Sequence, residues 1–492
     1  MPHDPTLERL ANATLLVPFE SLQAPRWILD GLADGISGVC LFHNNLESPE
    51  QVTALNASLR EATDTPLISL DEEGGDVTRI GQARGSDYPG NAALGAVDDT
   101  DLTRATLRSL GLQLSGLGFN LDLAPSVDVN VADDNPVIGT RSFGSDAELV
   151  ARHAAASVQG LQEAGVAACA KHFPGHGATS QDSHHTLPQI EADAELLRRR
   201  ELLPFRAAVD AGVRSILTAH IELPGLGVEG PATLNRTMLN DLLRDEMGFT
   251  GVVVSDAMDM RGVSGEIGIP EASVLAVAAG CDLLCLGRFV YADQVARVRS
   301  ALVGAVRDGR LSGERLEEAA DRNARLRDWI KRSAQERALP GADGGGTERV
   351  GLAGARRATR VDGDVPALEN PYVVEVDAPA GIAVGEVPWG LGPWFGDTVR
   401  VSPEADDPSE QLTAAAGRDL VVVVRDAHRY PSAQEFVSAL LGARPEAVVV
   451  EMGLPIWRPD CGAYVSTYGA AHVNALSAAE LLGSAGALRT AR

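Results

Sequence analysis

The chain has 492 residues and carries 68 acidic against 42 basic side chains, a net charge of −26. Such an acidic surface repels polyphosphate, which argues against a nucleic-acid partner. Hydrophobic residues make up 45% of the sequence, as in a soluble globular protein, and the length predicts two domains.

Neither a targeting signal nor a membrane segment is predicted. The first residues lack a basic start, a long apolar run and a cleavage site, and no apolar stretch reaches membrane-spanning length. The five cysteines lie mostly in apolar runs, as expected of buried thiols in a reducing compartment. We therefore expect a cytoplasmic protein with no membrane partner.

Eight short, nearly continuous apolar runs alternate with amphipathic segments in the first part of the chain. Such runs predict parallel strands buried on both faces, and eight strand–helix units predict an α/β fold of the (β/α)₈ barrel type. A doubly wound open sheet is the alternative, but no GxGxxG follows the first run. The runs are residues 15–19, 38–43, 67–73, 120–125, 166–173, 215–221, 251–257 and 282–287.

The segments between the runs have helical patterns, and two of them end on Gly165 and Gly212. A long helical stretch is predicted over residues 292–338, followed by three consecutive glycines at 344–346 that mark a linker. Further apolar runs near residues 372, 420 and 448 predict three more parallel strands. We expect a barrel over 1–340, a linker over 341–360 and a smaller α/β sandwich domain over 361–492.

Polar side chains lie at the predicted carboxyl ends of several barrel strands, where barrels of this type carry out their chemistry. Several such groups on one rim favour an active site over isolated capping or solvated residues. They are Asp71, Glu72, Glu73, Lys171, His172, His220, Ser255 and Asp256.

The segment of residues 171–188, which follows the fifth strand, contains four histidines. Its proline and glycines exclude a regular helix, so His172 and His176 are not a helical metal pair, and no metal site is predicted. Within this loop Asp182 and His184 are two residues apart. A carboxylate held against one imidazole nitrogen fixes the tautomer and raises the basicity of the other, which is the arrangement of a catalytic dyad.

Asp256 ends a run of three valines, and an ionised carboxylate in that place can attack an anomeric carbon. Asp259 is a rival nucleophile that falls beyond the predicted strand end.

Seven motifs occur in the order of family 3 glycoside hydrolases and resemble them over roughly residues 10–340: DEEGGDVTR, APSVDV, GTRSFG, KHFPGHGATSQDSH, TAHI, PATLN and VVVSDAMDM. The KHFPGHG…DSH segment resembles the β-N-acetylglucosaminidase branch in particular. The resemblance implies a retaining hydrolase that releases terminal β-linked N-acetylglucosamine through a covalent glycosyl-enzyme. It also implies a small carbohydrate substrate derived from peptidoglycan and no cofactor or metal.

The resemblance assigns roles by position. Asp256 matches the nucleophile, His184 the acid/base and Asp182 its dyad partner. The residues that match those holding the sugar hydroxyls are Asp71, Arg79, Arg141, Lys171 and His172. Two departures from the family pattern, Glu72 and Asp76, are expected to add negative charge near the rim.

Three other functions are compatible with parts of this pattern. A neutral imidazole as acid/base would admit inorganic phosphate as the acceptor, giving a phosphorylase, although the carboxylates Glu72, Glu73 and Asp76 oppose it. A metal-dependent amidohydrolase is also a barrel, but it usually needs an H-x-H after the first strand, which is absent. A sugar-binding protein without activity would not be expected to retain Asp182, His184 and Asp256.

Overall fold

The computed structural model describes residues 4–179, 187–227, 230–337, 347–379 and 381–483. These residues form two compact units, each built from separated stretches of sequence. The first unit takes its described residues from 1–72, 103–132 and 145–345, and the second from 73–102, 133–144 and 346–492. The boundaries 1–340, 341–360 and 361–492 stay a prediction, and the compact units differ from them by grouping two early loops with the carboxyl-terminal part.

Eight parallel strands form the sheet of the first unit in the order β7-β6-β5-β4-β3-β2-β1-β8. A parallel bridge between Val254 and Leu283 joins the two end strands and closes the ring. The predicted barrel is therefore confirmed, and the open-sheet alternative is wrong. The strands are β1 Leu15–Val17, β2 Gly38–Cys40, β3 Leu67–Leu70, β4 Leu121–Asp122, β5 Ala167–Phe173, β6 Ser215–Thr218, β7 Val252–Val254 and β8 Leu284–Cys285.

Helices connect these strands, and their ends follow the sequence signals. The helices that precede β5 and β6 are followed by Gly165 (φ 72°) and Gly212 (φ 79°), in the left-handed region that favours glycine. The stretch predicted as one helix over 292–338 is two helices. In chain order the helices are α1 Pro5–Asn12, α2 Arg26–Ala33, α3 Pro49–Ala62, α4 Asn91–Val97, α5 Thr100–Leu117, α6 Ala147–Glu163, α7 Ala194–Leu196, α8 Leu202–Asp210, α9 Arg261–Ser264, α10 Gly268–Ala279, α11 Ala292–Arg307 and α12 Gly313–Arg337.

The strands of the barrel are buried along their whole length, which is why they appear in the sequence as continuous apolar runs. Four of the five cysteines are buried free thiols, as predicted, and the fifth is half-buried. Leu326 and Ile330 of α12 pack on the same core as the strands. Among the described residues, no helix is both long and apolar enough to cross a lipid bilayer.

The second unit contains a six-stranded sheet in the order β11-β10-β12-β13-β14-β9, in which only β9 is antiparallel to its neighbour. Apolar side chains on the two faces of this sheet form two cores covered by helices, which confirms the predicted α/β sandwich. The three predicted strands, β10, β12 and β13, are present, whereas β9, β11 and β14 were not predicted. The elements are α13 Thr347–Ala358, β9 Arg360–Gly363, β10 Pro371–Val376, β11 Thr398–Val401, α14 Pro408–Ala414, β12 Asp419–Val424, α15 Pro431–Ala443, β13 Val448–Glu451, β14 Ala463–Ser466 and α16 His472–Gly483.

A buried ion pair joins the early loop of residues 73–102 to the sandwich within the second unit. Asp76 accepts hydrogen bonds from the Ala470 N–H at 2.8 Å and the Thr140 hydroxyl at 2.7 Å. It also pairs with Arg425 at 3.2 Å. Burial opposes the charge of Arg425, but Asp76 raises the pKa of this guanidinium on balance. The expectation that Asp76 adds a negative charge to the rim is therefore wrong, because its charge is buried and balanced.

We predict that Asp76→Asn lowers the free energy of unfolding by about 3–5 kcal/mol, because it leaves the buried Arg425 charge without its carboxylate. Asp99→Asn is the matched control, since Asp99 pairs with the half-exposed Arg357 and should change stability by less than about 1 kcal/mol. Urea denaturation of both variants measures the difference. Equal losses would show that the buried pair contributes no more than a surface pair.

Candidate active site

An ion pair joins the carboxyl ends of β3 and β5 in the first unit. Lys171 Nζ donates to Asp71 Oδ1 at 2.7 Å, and the lysine side chain is only 3% exposed. Asp122, the last residue of β4, is fully buried, and burial raises its pKa well above its usual range. Its Oδ1 accepts the Glu72 backbone N–H at 3.0 Å. Two of the predicted sugar-holding residues thus lie in direct contact.

Asp128 is a buried carboxylate that organises the start of the loop after β5. It accepts hydrogen bonds from His172 Nδ1 at 2.7 Å, from the His176 backbone N–H at 2.6 Å and from the Ser126 hydroxyl at 3.0 Å. Burial alone would raise the pKa of Asp128, but His172 and the hydrogen bonds lower it on balance. Asp128 therefore stays ionised and holds both the ring of His172 and the backbone of the loop.

His176 is the second buried histidine at the start of this loop. Its ring Nδ1 lies 2.9 Å from Thr179 Oγ1. Burial, with the neighbouring His172, lowers the pKa of His176 to about 4. His176 is therefore neutral near pH 7 and serves as an uncharged part of the loop.

Asp256 follows β7, and a chain of hydrogen bonds holds the turn in which it lies. Its backbone N–H donates to Thr218 Oγ1 at 3.4 Å, and the Thr218 and Thr233 hydroxyls are 2.8 Å apart. Thr233 Oγ1 lies 2.9 Å from His220 Nδ1. His220 Nε2 donates to the Ala257 carbonyl at 3.1 Å, so this nitrogen carries a proton. The end of β6 and the segment that contains Thr233 thus position the backbone of the candidate nucleophile.

The sequence analysis missed the role of Thr218 and Thr233, which it saw only as parts of family motifs. Both side chains are fully buried. A hydroxyl in a buried position needs a partner, and this requirement was the available signal.

Asp259, the rival nucleophile, is bound to the loop after β8. Its Oδ2 accepts the Phe289 backbone N–H at 3.0 Å. At Gly287 a Cβ atom would come 1.8 Å from Asp259 Oδ1, so only glycine fits beside this carboxyl group. Burial raises the pKa of Asp259. These contacts are those of a structural link between two loops.

Glu201 lies under the loop that follows β5. It ends a π-helical segment, Leu197–Glu201, and is 1% exposed. Its Oε1 accepts from Arg200 at 2.5 Å, while its Oε2 has no hydrogen-bond partner among the described residues. A Cβ atom at Gly175 would come 2.9 Å from this oxygen. Burial raises the pKa of Glu201 to about 7, against the opposing effect of Arg200.

The other two predicted sugar-holding residues belong to the second unit. Arg141 forms a bidentate pair with Glu73, at 2.9 Å and 2.7 Å, and both side chains are almost fully buried. Arg79 Nη2 donates to the Ala383 carbonyl at 3.1 Å. The negative charge of Glu73 is therefore balanced by Arg141, and the expectation that Glu73 adds charge to an acidic rim is wrong.

The predicted dyad of Asp182 and His184 lies outside the described residues. Within the described ranges, no group of three or more His, Cys, Asp and Glu side chains is placed to hold a metal ion.

Comparison with known proteins places this site in a family context. The family described as "Glycosyl hydrolase family 3 N terminal domain" matches residues 23–326. Beta-hexosaminidase A of Pseudoalteromonas piscicida is 31% identical over 374 residues, which cover 70% of this chain and 62% of that protein. A beta-hexosaminidase of Chromobacterium violaceum is 37% identical over 259 residues, covering 51% of this chain and 71% of its own length.

A solved structure extends the similarity to both units. The structure of a glycoside hydrolase family 3 beta-N-acetylglucosaminidase from Paenibacillus sp. is similar to this chain with a TM-score of 0.87 at 30% identity. The match covers 97% of each chain. The carboxyl-terminal sandwich is therefore shared with that protein as well as the barrel.

We predict that Glu201 makes the fold less stable as the pH rises. Its folded pKa lies above the ordinary value of 4.5, so the neutral form favours folding, and stability is lost between about pH 4.5 and pH 7 and levels off above that. Relative to Glu201→Gln, the wild type should lose about 2 kcal/mol of unfolding free energy between pH 5.5 and 8.5.

Urea titrations at the two pH values measure this difference. Glu163→Gln is the control, because Glu163 is a surface residue paired with Arg104, and it should follow the wild-type pH curve. A constant difference between wild type and Glu201→Gln at both pH values would contradict the prediction.

Proposed function

The chain belongs to glycosyl hydrolase family 3 and is a glycosidase, and from that premise we propose that it releases terminal β-linked N-acetylglucosamine with retention of configuration. One observation carries the specificity: the similarity to a beta-N-acetylglucosaminidase extends over 97% of both chains. The named hexosaminidase relatives support the same substrate class.

In the first step of the proposed reaction, a carboxylate oxygen of Asp256 bonds to the anomeric carbon as the glycosidic bond breaks. His184, with its ring oriented by Asp182, gives its proton to the departing oxygen. The position of Asp256 at a strand end and its hydrogen-bonded turn support this role. Asp259 is the weaker candidate, because both of its oxygens face the loop after β8: Oδ2 accepts the Phe289 N–H and Oδ1 packs against Gly287.

In the second step water attacks the same carbon and the bond to Asp256 breaks. His184, now neutral, takes the proton of the water, and the sugar leaves with its original configuration.

We propose that Asp71, Lys171 and His172 bind the ring hydroxyls. The Lys171–Asp71 pair supports this role, since it presents a donor and an acceptor at the carboxyl ends of β5 and β3. Asp128 fixes the ring of His172 through Nδ1, so that this donor is oriented before substrate binds. Arg79 and Arg141 stay predicted sugar-binding residues on the basis of the resemblance.

The natural substrate proposed here is a peptidoglycan-derived fragment that carries a non-reducing β-N-acetylglucosamine residue, processed in the cytoplasm. The free thiols of the chain support a reducing compartment.

We predict that Asp256→Asn lowers turnover by about 10⁴-fold or more, because the covalent step then lacks its nucleophile. Asp259→Asn is the matched control and should keep far more activity. A mechanism-based fluoro-sugar followed by peptide mass spectrometry should label Asp256. Label on Asp259, or equal losses in the two variants, would overturn the assignment.

We predict that His184→Ala slows hydrolysis of alkyl glycosides by about 10²–10⁴-fold but affects activated aryl glycosides much less. A good leaving group barely needs the proton that His184 supplies. Asp182→Asn should act in the same direction, whereas the neighbouring His185→Ala serves as the control. Equal losses on alkyl and nitrophenyl substrates would argue against the acid role.

A further inference from the structure

A cleft rich in arginine lies at the amino-terminal end of the barrel strands, away from the strand ends that carry Asp256. It has a volume of about 590 Å³ and includes the backbone that leads into β7. Arg214, which also lines it, directly precedes β6. The other side chains that line it include Arg322, Arg325, Asp328, Trp329 and Arg332.

The helix α12 supplies most of this lining from one face. Arg322, Arg325, Trp329 and Arg332 are spaced by three, four and three residues, which places them on the same side of a helix. Trp329 packs against the barrel core, and this contact fixes the rotation of α12 about its axis, so that the arginine face stays at the cleft. The guanidinium of Arg214 lies over the Trp329 ring, with its Cζ 4.9 Å from the ring centroid. This cation–π contact holds a second element's arginine at the same cleft.

The positive charge of the cleft is largely unbalanced. Arg322 pairs with Asp282 and Glu318. Among the described residues, no carboxylate forms an ion pair with Arg214, Arg325 or Arg332. Partial burial, together with the nearby Arg332, lowers the pKa of Arg214, as expected where like charges repel.

This concentration of positive charge does not follow from composition. The chain as a whole carries a net charge of −26, yet four arginines and one aspartate line this cleft. One guanidinium group can bind two phosphate oxygens through a pair of parallel N–H···O bonds. Exposed guanidinium groups in a concave site therefore suit a phosphate ligand. The volume lies in the range of small-molecule sites and is too small for a folded partner.

We propose that this cleft binds a small phosphate-bearing anion, with a diphosphate group held by Arg214, Arg325 and Arg332. Three cations without carboxylate partners fit a group with two or three negative charges. The ligand would be separate from the sugar substrate, because Val252 lines the cleft while Asp256 follows the other end of the same strand, about 13 Å along the chain. The inference goes beyond the proposed glycosidase function and does not depend on it.

The test is isothermal titration calorimetry at low salt with inorganic pyrophosphate as the probe. The wild type should bind one equivalent, and the double variant Arg325→Ala/Arg332→Ala should bind at least about tenfold more weakly. Arg297→Ala/Arg307→Ala removes two arginines from α11 and is the matched control for net charge. Asp256→Asn should bind pyrophosphate as the wild type does, which separates this cleft from the active site. Thermal melts confirm that each variant is folded.

Parallel titrations with inorganic phosphate and adenosine 5′-diphosphate identify the source of the phosphate group. Tighter binding of the nucleotide than of pyrophosphate would indicate a nucleotide ligand, and equal binding would indicate the diphosphate group alone. The proposal is overturned if pyrophosphate releases no heat, if both double variants lose affinity equally, or if Asp256→Asn abolishes binding. Heat from an acidic glutamate-rich peptide but not from pyrophosphate would also overturn it.

Discussion

A buried carboxylate costs free energy unless hydrogen bonds satisfy it. Asp128 meets that requirement with donors from the loop after β5. Its partners are the side chain and backbone of His172, the backbone of His176 and the Ser126 hydroxyl. Because the carboxylate is fully buried, these bonds have little competition from water. Asp128 therefore holds the chain in place at residues 172 and 176.

The same rule explains three buried ion pairs of the two units. Lys171 is buried with Asp71, Arg141 with Glu73, and Arg425 with Asp76. Each pair combines a charge that burial would penalise with a partner that balances it. Asp122 is a buried carboxyl group of another kind, since burial raises its pKa well above its usual range. Such pairs fix local geometry more than they add stability.

The barrel was readable from sequence because its strands are buried on both faces and appear as apolar runs. Two of the three missed strands lack that signal: β9, RVDG, is exposed at all four positions, and β11, TVRV, is largely half-exposed. The third, β14, AYVS, is buried at all four positions but is only four residues long and ends in a polar serine. The prediction of an acidic rim was wrong for a different reason. Sequence shows the carboxylates of Glu73 and Asp76 but not the arginines that pair with them, which lie 68 and 349 residues away.

The balanced charges of Glu73 and Asp76 bear on which acceptor, water or inorganic phosphate, could take the glycosyl group in the second step of the proposed reaction. The argument against inorganic phosphate was that Glu72, Glu73 and Asp76 would repel it. Two of those three charges are balanced by arginine, so this repulsion is much weaker than expected.

The positions of Asp71, Lys171, His172 and Asp256 at strand ends were foreseeable, because parallel strands of a barrel end at one rim. The hydrogen-bond chain through Thr218, Thr233 and His220 was not, since the two threonines come from segments separated along the chain.

The central claim is that a carboxylate at the end of β7 and a separate acid/base act in two displacements at the anomeric carbon. The most direct test is proton NMR of the first turnovers on an aryl β-N-acetylglucosaminide, in phosphate-free buffer, before the released sugar mutarotates. The account predicts that the β-anomer of N-acetylglucosamine appears first and the α-anomer grows in later. Initial release of the α-anomer would mean a single displacement by water and would contradict the account.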